Sequence, residues 1–328
     1  MHIVILFSGD VMIPYKKILV TGGCGFIGSH LVKALLKTKS EIYATDINKS
    51  RESYFYLEKL ASKCSLIIGD VRKYKFLQEV ISRHKINFIF HLAAQTQVTT
   101  AFEKPKDTLE TNILGTVNIL EIARACPYIK GVVIASSDKA YGKKKSAYME
   151  DDPLVGDHPY EVSKSAADLL SRMYFKTYGL PVVTTRFANV YGEGDLNFER
   201  LIPGIMKSVV LNKNFYIRSN GRFIRSYLYI NDVVRGYLML MKNLDKIKGE
   251  AFNFGSPDIY SVLELLHLFE KSLDKKINYK IINNQANEIP KQVLNYRKIK
   301  RILNWQPEYS IVETIKGVYN WYLENLKS

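Results

Sequence analysis

Cysteine is scarce: Cys24, Cys64 and Cys126 are the only three in 328 residues. Their number and spacing suit neither a disulfide framework nor a metal-ligand set, which points to a reducing, cytoplasmic compartment. No apolar run reaches the roughly eighteen uninterrupted residues of a membrane-spanning helix, so no membrane partner is expected. Repeats and low-complexity tracts are absent too, and 47% hydrophobic content is enough for a full-sized core. Positive charge is plentiful, with 47 Lys and Arg against 32 Asp and Glu, but it is dispersed. Only Lys143-Lys144-Lys145 forms a run, between Gly142 and Ser146, and no nucleic-acid module surrounds it. The net charge of +15 suits an anionic substrate better than a nucleic acid.

The first sixteen residues include the apolar stretch His2 to Phe7, which is short and has no basic region ahead of it, unlike a signal peptide. Met12 offers a second start, so 1–15 is expected to be a frayed extension.

What is present begins at Lys17. The apolar run Lys17 to Val20 leads into Thr21-Gly22-Gly23-Cys24-Gly25-Phe26-Ile27-Gly28, and an amphipathic stretch follows Ser29. This reads as strand, glycine turn and helix. Gly22, Gly25 and Gly28 permit a tight turn and bring backbone N–H groups against a pyrophosphate. A second strand-like run, Glu41 to Thr45, ends in Asp46, eighteen residues past Gly28. A carboxylate there can accept from a ribose 2′-OH, which favours NAD over NADP, although Lys49 and Arg51 would welcome a 2′-phosphate. Cys24 is either a redox handle or, more simply, a small space-filler.

Strand-like and helix-like segments then alternate at a spacing suited to right-handed βαβ crossovers, so a doubly wound parallel α/β sheet of Rossmann type is expected. Leu66 to Ile68 ends at Gly69-Asp70-Val71, and Asn87 to Phe90 ends at His91-Leu92-Ala93-Ala94-Gln95. Both deliver small or polar residues to the carboxyl edge, where ligands bind in such sheets. Asp70 could hold an adenine amino group or cap the following helix. His91 has no His or Cys at metal spacing, so it reads as a satisfied strand-end histidine and no metal is expected. Thr108 to Ala125 has the apolar period of a long helix.

Val132 to Ala135 is a short apolar strand that ends in Ser136-Ser137-Asp138-Lys139. Further on, Tyr160 and Lys164 lie one turn apart at the start of another helix. A nearby ammonium and a cationic nicotinamide would favour the phenolate of Tyr160, which could then take a sugar hydroxyl proton, with Ser137 steering that hydroxyl.

Together with Asn112, Gly115-Thr116, the stretch Arg186 to Gly192 and Arg200-Leu201-Ile202-Pro203, these residues resemble the extended short-chain dehydrogenase/reductases, in the nucleotide-sugar epimerase and dehydratase branch. The resemblance runs from Lys16 nearly to the end. It implies an NAD-binding Rossmann domain over 16–190 and a smaller C-terminal α/β domain over 191–328, some segments of which return to the first. It also implies a homodimer joined through helices near 108–125 and 160–178. The cofactor set would be Gly22, Gly25, Phe26, Ile27, Gly28, Asp46, Asp70, Val71, Leu92, Ala93, Ala94, Tyr160 and Lys164. Gln95, Asn189, Arg200, Leu201 and Arg225 would hold the nucleotide-sugar, since a guanidinium fork suits a diphosphate. Ser226 stands where the family usually has Asp, and Glu193 where it often has Pro.

Within the branch, Ser137-Asp138-Lys139 resembles the 4,6-dehydratases, and its Asp-Lys pair is similar to that of the CDP-glucose 4,6-dehydratases. Asp138 would then be the acid that protonates the departing C6 hydroxyl. Lys139 would be either the C5 base, if neutral, or a cation beside an enolate oxygen. CDP-glucose is the substrate this suggests. A nucleotide-sugar 4-epimerase and a non-catalytic NAD-binding sensor or scaffold are the alternatives.

Overall fold

The computed structural model describes residues 13–47, 51–284 and 289–326. Most of the expected frayed extension, and Lys49, lie outside the described residues. The strands in chain order are β1 (Lys17–Thr21), β2 (Glu41–Asp46), β3 (Ser65–Ile68), β4 (Phe88–His91), β5 (Gly131–Ala135), β6 (Val182–Phe187), β7 (Asn189–Tyr191), β8 (Phe215–Ile217), β9 (Ile224–Tyr229), β10 (Ala251–Phe254), β11 (Ile259–Ser261), β12 (Tyr279–Ile281) and β13 (Lys291–Gln292). Seven of them form one parallel sheet in the order β10-β6-β5-β4-β1-β2-β3. The order reverses at β1, which lies between β2 and β4, and a crevice opens at that reversal.

Strand alternation sends neighbouring residues to opposite faces. Ile18, Val20, Phe88, Phe90 and Val133 enter one hydrophobic cluster, while Leu19, Ile89, Val132 and Ile134 enter another. The first cluster is closed by the helices Phe26–Leu35 and Ile230–Lys242, the second by Tyr74–His84 and Gly115–Ala125. Each such side chain contributes about 1.5–3 kcal/mol by leaving water. The first cluster continues without a break into Trp305, Ile315 and Tyr322. Two pieces of the second half, β10 and the helix Ile230–Lys242, therefore belong to the sheet layer. The rest gathers around β9, which pairs with β7 and β13 in parallel and with β11 antiparallel. No helix among the described residues is long and apolar enough to cross a membrane.

The helix read over Thr108 to Ala125 differs in detail. It begins at Pro105, where a missing N–H costs nothing, and between Pro105–Leu109 and Gly115–Ala125 it widens into a π turn over Glu110–Leu114. The hydroxyl of Thr116 donates to the Asn112 carbonyl at 2.6 Å within this turn, and the Asn112 amide reaches the Ser163 hydroxyl at 2.8 Å. Apolar periodicity carries no trace of such a turn, because it is made by hydrogen bonds.

Arg186 on β6 forks onto Asp168 of the helix Pro159–Tyr178, with Nε–Oδ2 at 2.7 Å and Nη2–Oδ1 at 2.8 Å. Its third nitrogen donates to the Tyr141 hydroxyl at 2.5 Å and to the Glu150 carbonyl at 3.0 Å. Both charged side chains are 5% exposed. Removing one partner would strand the other charge, so Asp168→Ala should cost about 3–5 kcal/mol. Urea denaturation measures this; a loss under about 1 kcal/mol would show that the fork does not hold the fold.

Candidate active site

The glycine loop follows from β1 and the helix it must enter. Gly22 takes φ +68°, and a Cβ there would lie 2.8 Å from the Ala93 backbone nitrogen, so the loop is pressed against the end of β4. A Cβ on Gly28 would lie 2.1 Å from the Gly22 carbonyl oxygen. The helix Phe26–Leu35 starts after Gly25 without a side-chain cap, and a helix N-terminus of this kind favours an anion. Asp46 accepts from the Cys24 N–H at 3.0 Å, so it braces the loop, and it also lines the cavity. Burial first, then Asp46, pushes the Cys24 thiol up to about 12, which makes it the inert space-filler.

Gly22, Gly25, Phe26, Ile27, Gly28, Asp46, Asp70, Val71, Leu92, Ala93 and Ala94 all line one cavity. Asp70 does not cap the next helix, whose N-cap is Lys73. Its carboxylate turns back to Arg72, accepting from the backbone N–H at 2.9 Å and from Nε at 2.8 Å. His91 is half satisfied: Nδ1 meets the Thr21 hydroxyl at 2.8 Å, while Nε2 is buried without a protein partner. Burial, then the charge of Lys164, lowers its pKa to about 3 and keeps the ring neutral.

Where β5 ends, Ser137 caps a short turn over Asp138–Tyr141: its hydroxyl accepts from the Lys139 N–H at 3.2 Å and donates to Asp138 Oδ1 at 3.0 Å. The same hydroxyl bonds Tyr160, which stands at the start of the facing helix. Burial pushes the Tyr160 phenol up to about 12, against the pull of Ser137 and Arg200. Lys164 plays no part in that balance; its ammonium donates to the Ala135 carbonyl at 2.8 Å, and burial lowers its pKa to about 8. Asp138 is 6% exposed, and burial raises its pKa against Lys139, Ser137 and Arg225. Lys139 donates to Gln292 at 3.1 Å and acts electrostatically on Asp138 and Glu161.

Asn189, Arg200, Leu201 and Arg225 line the far end of the same cavity. Arg200 pairs with Asp195 at 3.1 Å, and the Asn189 amide donates to the Ser226 carbonyl at 3.3 Å. Ser226 itself is buried off the cavity and bonds the Ser256 carbonyl at 3.0 Å. Glu193 is taken up by the Tyr229 hydroxyl at 2.9 Å. Gln95 is not brought in. Asn112 grips its backbone, its side chain donates to the Gln97 carbonyl at 2.9 Å, and Thr96, Gln97 and Thr99 line the cavity in its place.

Three neighbours of the cluster formed by Ser137, Asp138, Lys139 and Tyr160 escaped sequence reasoning. Gln292 arrives on β13, 153 residues after the lysine it binds, and no local signal marks it. His158 and Glu161 flank Tyr160, line the cavity and meet at 3.1 Å; their i,i+3 spacing around Tyr160 was a usable signal. The cavity encloses about 1060 Å³, above the ~300–1,000 Å³ usual for one ligand, so a dinucleotide on the glycine side and a second ligand by the arginines both have room. The glycine cradle and Asp46 fit the dinucleotide.

Residues 19–318 match the family model described as GDP-mannose 4,6 dehydratase. The CDP-paratose 2-epimerase of Salmonella typhi is 30% identical, over 93% of this chain and 98% of that protein. The CDP-glucose 4,6-dehydratase of Salmonella typhimurium is also 30% identical, over 94% of this chain and 90% of its own length. The solved structure of DesIV, a dTDP-glucose 4,6-dehydratase from Streptomyces venezuelae with NAD bound, superposes with a TM-score of 0.88 at 27% identity, covering 95% of this chain and 98% of that one.

An Asp whose folded pKa lies above its unfolded value contributes stability at low pH and loses it as pH rises through the folded value. Asp138→Asn should therefore melt higher than the wild type near neutral pH, with the difference closing in acid. Equal melting temperatures by calorimetry at both pH values would contradict the buried carboxylate.

Proposed function

The chain belongs to the GDP-mannose 4,6-dehydratase family of NAD-dependent nucleotide-sugar dehydratases and epimerases, and from that premise we propose that it is a nucleotide-sugar 4,6-dehydratase. The observation that carries the reading is Asp138: a buried carboxyl, raised by burial, hydrogen-bonded to Ser137 and near enough to Tyr160 to act on it electrostatically. Burial that favours the protonated form of a carboxyl suits the departure of a C6 hydroxyl as water, and a 4-epimerase has no use for it.

NAD, held by the glycine loop and Asp46, supplies a reversible acceptor for the hydride at C4. Tyr160 removes the O4 proton as C4 is oxidised, and Ser137 fixes the position of that oxygen. Asp138 then gives its proton to the leaving C6 oxygen. Lys139, which donates to the Gln292 amide oxygen and acts electrostatically on Asp138 and Glu161, is the ammonium that steadies negative charge on the ketone oxygen. Arg200 and Arg225 take the diphosphate. The Asp-Lys pair, shared by resemblance with CDP-glucose 4,6-dehydratases, makes CDP-glucose the first substrate to try and places the product in deoxysugar formation.

The active form in this reading is a homodimer. Val162, Leu169 and Met173 are 41%, 52% and 39% exposed along the helix Pro159–Tyr178, and Leu114 is 45% exposed on the neighbouring helical run. Such an apolar stripe is suited to a second copy. Three free cysteines fit a reducing cytoplasm.

Incubated with CDP-, GDP-, dTDP- and UDP-glucose in D₂O, the protein should convert one of them to a 4-keto-6-deoxy sugar with deuterium at C5. A C4 epimer without deuterium at C5 would replace the dehydratase by an epimerase, and no turnover at all would favour a binding role. Tyr160→Phe keeps the ring and removes the proton acceptor, so kcat should fall by about 10²–10⁴ with KM little changed. Steady-state kinetics with wild-type kcat in that variant would remove Tyr160 from the chemistry.

A further inference from the structure

Gln292 is 1% exposed, yet its side chain carries two polar ends into that burial. One of them is used. The atom that meets Lys139 Nζ at 3.1 Å is the amide oxygen, as it must be, since an ammonium has hydrogens to give and no lone pair to accept with. The amide nitrogen is buried and has no hydrogen-bond partner among the described residues. A buried donor left unpaired disfavours the fold, and an apolar side chain of similar length would fill the same space without that loss. Packing therefore gives no reason for an amide at this position; its oxygen on Lys139 does.

The glutamine is itself held from two directions. β13 pairs with β9 in parallel and sets Gln292 in register with Arg225, so the strand that presents an arginine to the cavity also fixes the glutamine beside it. Just past β13, the Tyr148 N–H donates to the Val293 carbonyl at 2.8 Å, and the Tyr148 carbonyl accepts from the Asn295 N–H at 2.9 Å. The Tyr148 ring stacks on that of Tyr141 with centroids 4.8 Å apart, and Tyr141 closes the turn Asp138–Tyr141 that carries Lys139. A closed circuit of contacts thus runs from the turn through Tyr141, Tyr148 and β13 back to the ammonium. Lysine needs such a tether, because its stem is flexible and the carboxyl groups of Asp138 and Glu161 both act on its charge. An amide oxygen orients an ammonium without adding negative charge, which leaves the positive charge for a reacting oxygen.

We propose that Gln292 is a positioning residue: its amide oxygen holds the Lys139 ammonium toward the ketone oxygen of the oxidised sugar, in fixed register with Arg225, which takes the diphosphate. This rests on the dehydratase reading. No bond is made or broken at Gln292; what it fixes is where the ammonium stands while negative charge builds on the C4 oxygen. Gln292 is not among the residues that line the cavity, so its effect passes through Lys139. A substitution there should act on the steps after C4 oxidation and leave substrate binding intact.

The test uses the full chain with CDP-glucose, or whichever of GDP-, dTDP- and UDP-glucose it turns over, in D₂O. Gln292→Met keeps the length of the side chain and removes the oxygen. Both kcat and deuterium incorporation at C5 should fall by about 10–100-fold, the cost of a misplaced charge. KM should hold within about threefold, and in a single turnover reduced nicotinamide should accumulate at 340 nm because oxidation at C4 still proceeds. Gln292→Leu, of different shape, should give the same pattern, which separates loss of the oxygen from a packing fault in one variant. In a Lys139→Met background, Gln292→Met should change kcat by less than about twofold, since the group it positions is gone. Wild-type kcat in both Gln292 variants overturns the assignment. So does a fall of the same size in the Lys139→Met background, or a joint loss of affinity and C4 oxidation, either of which marks a residue that serves only the fold. A wild-type rate in Lys139→Met overturns it as well. If the wild type turns over none of the four sugars, or leaves C5 without deuterium, the dehydratase reading falls and the role of Gln292 falls with it.

Discussion

The fork between Arg186 and Asp168 is the interaction on which the arrangement of the site depends. It joins β6 to the helix that carries Tyr160 and Lys164, and through Tyr141 and Glu150 it reaches the segment that follows Ser137 and Asp138. The turn bearing the acid and the helix bearing the phenol are also tied directly, by the Ser137 contact with Tyr160 and by the Ser165 hydroxyl, which donates to the Ala140 carbonyl at 2.8 Å. Charges this deep are tolerable because every strong donor of the guanidinium has a fixed acceptor. A buried ion pair of this kind costs much to desolvate, and what it provides here is geometry.

Burial is also the common cause behind the site's acid–base properties. The groups shift in the direction that disfavours charge: Asp138 and Tyr160 upward, Lys164 and His91 downward. Of these, Asp138, Tyr160 and Lys164 line one cavity, and shifted groups gathered in this way are what a low-dielectric site for proton transfer looks like. Glu161, like Asp70 beside Arg72, is an exception. Two directed hydrogen bonds keep it ionised, and one of them comes from a histidine.

Relatives at equal identity include a 2-epimerase and a 4,6-dehydratase, so overall likeness leaves the reaction open. Asp138 and Lys139 sit on the turn after β5, His158 and Glu161 at the start of the facing helix, and the sheet brings these two elements to one edge. The family departures at Glu193 and Ser226 belong instead to packing, since their side chains are bonded to Tyr229 and Ser256.

The sequence by itself determined the parallel sheet, the glycine loop with Asp46, and the Ser137, Asp138, Tyr160 and Lys164 set. These are written in short-range patterns: period-two strands, turn glycines, a one-turn helix spacing. Tertiary structure decided the rest, because the remaining relations join residues far apart in the chain. Gln292 meets Lys139 from the other end of the molecule, and β10 completes a sheet begun more than two hundred residues earlier. Asp70 turned to Arg72 instead of capping a helix, and Gln95 was drawn away by Asn112 from a π turn that no apolar pattern encodes. Lys164 was placed beside Tyr160 by helical spacing, yet the backbone carbonyl of Ala135 claims its ammonium. Sequence spacing fixes which residues are near one another; the hydrogen-bond partners available after folding fix where each side chain points.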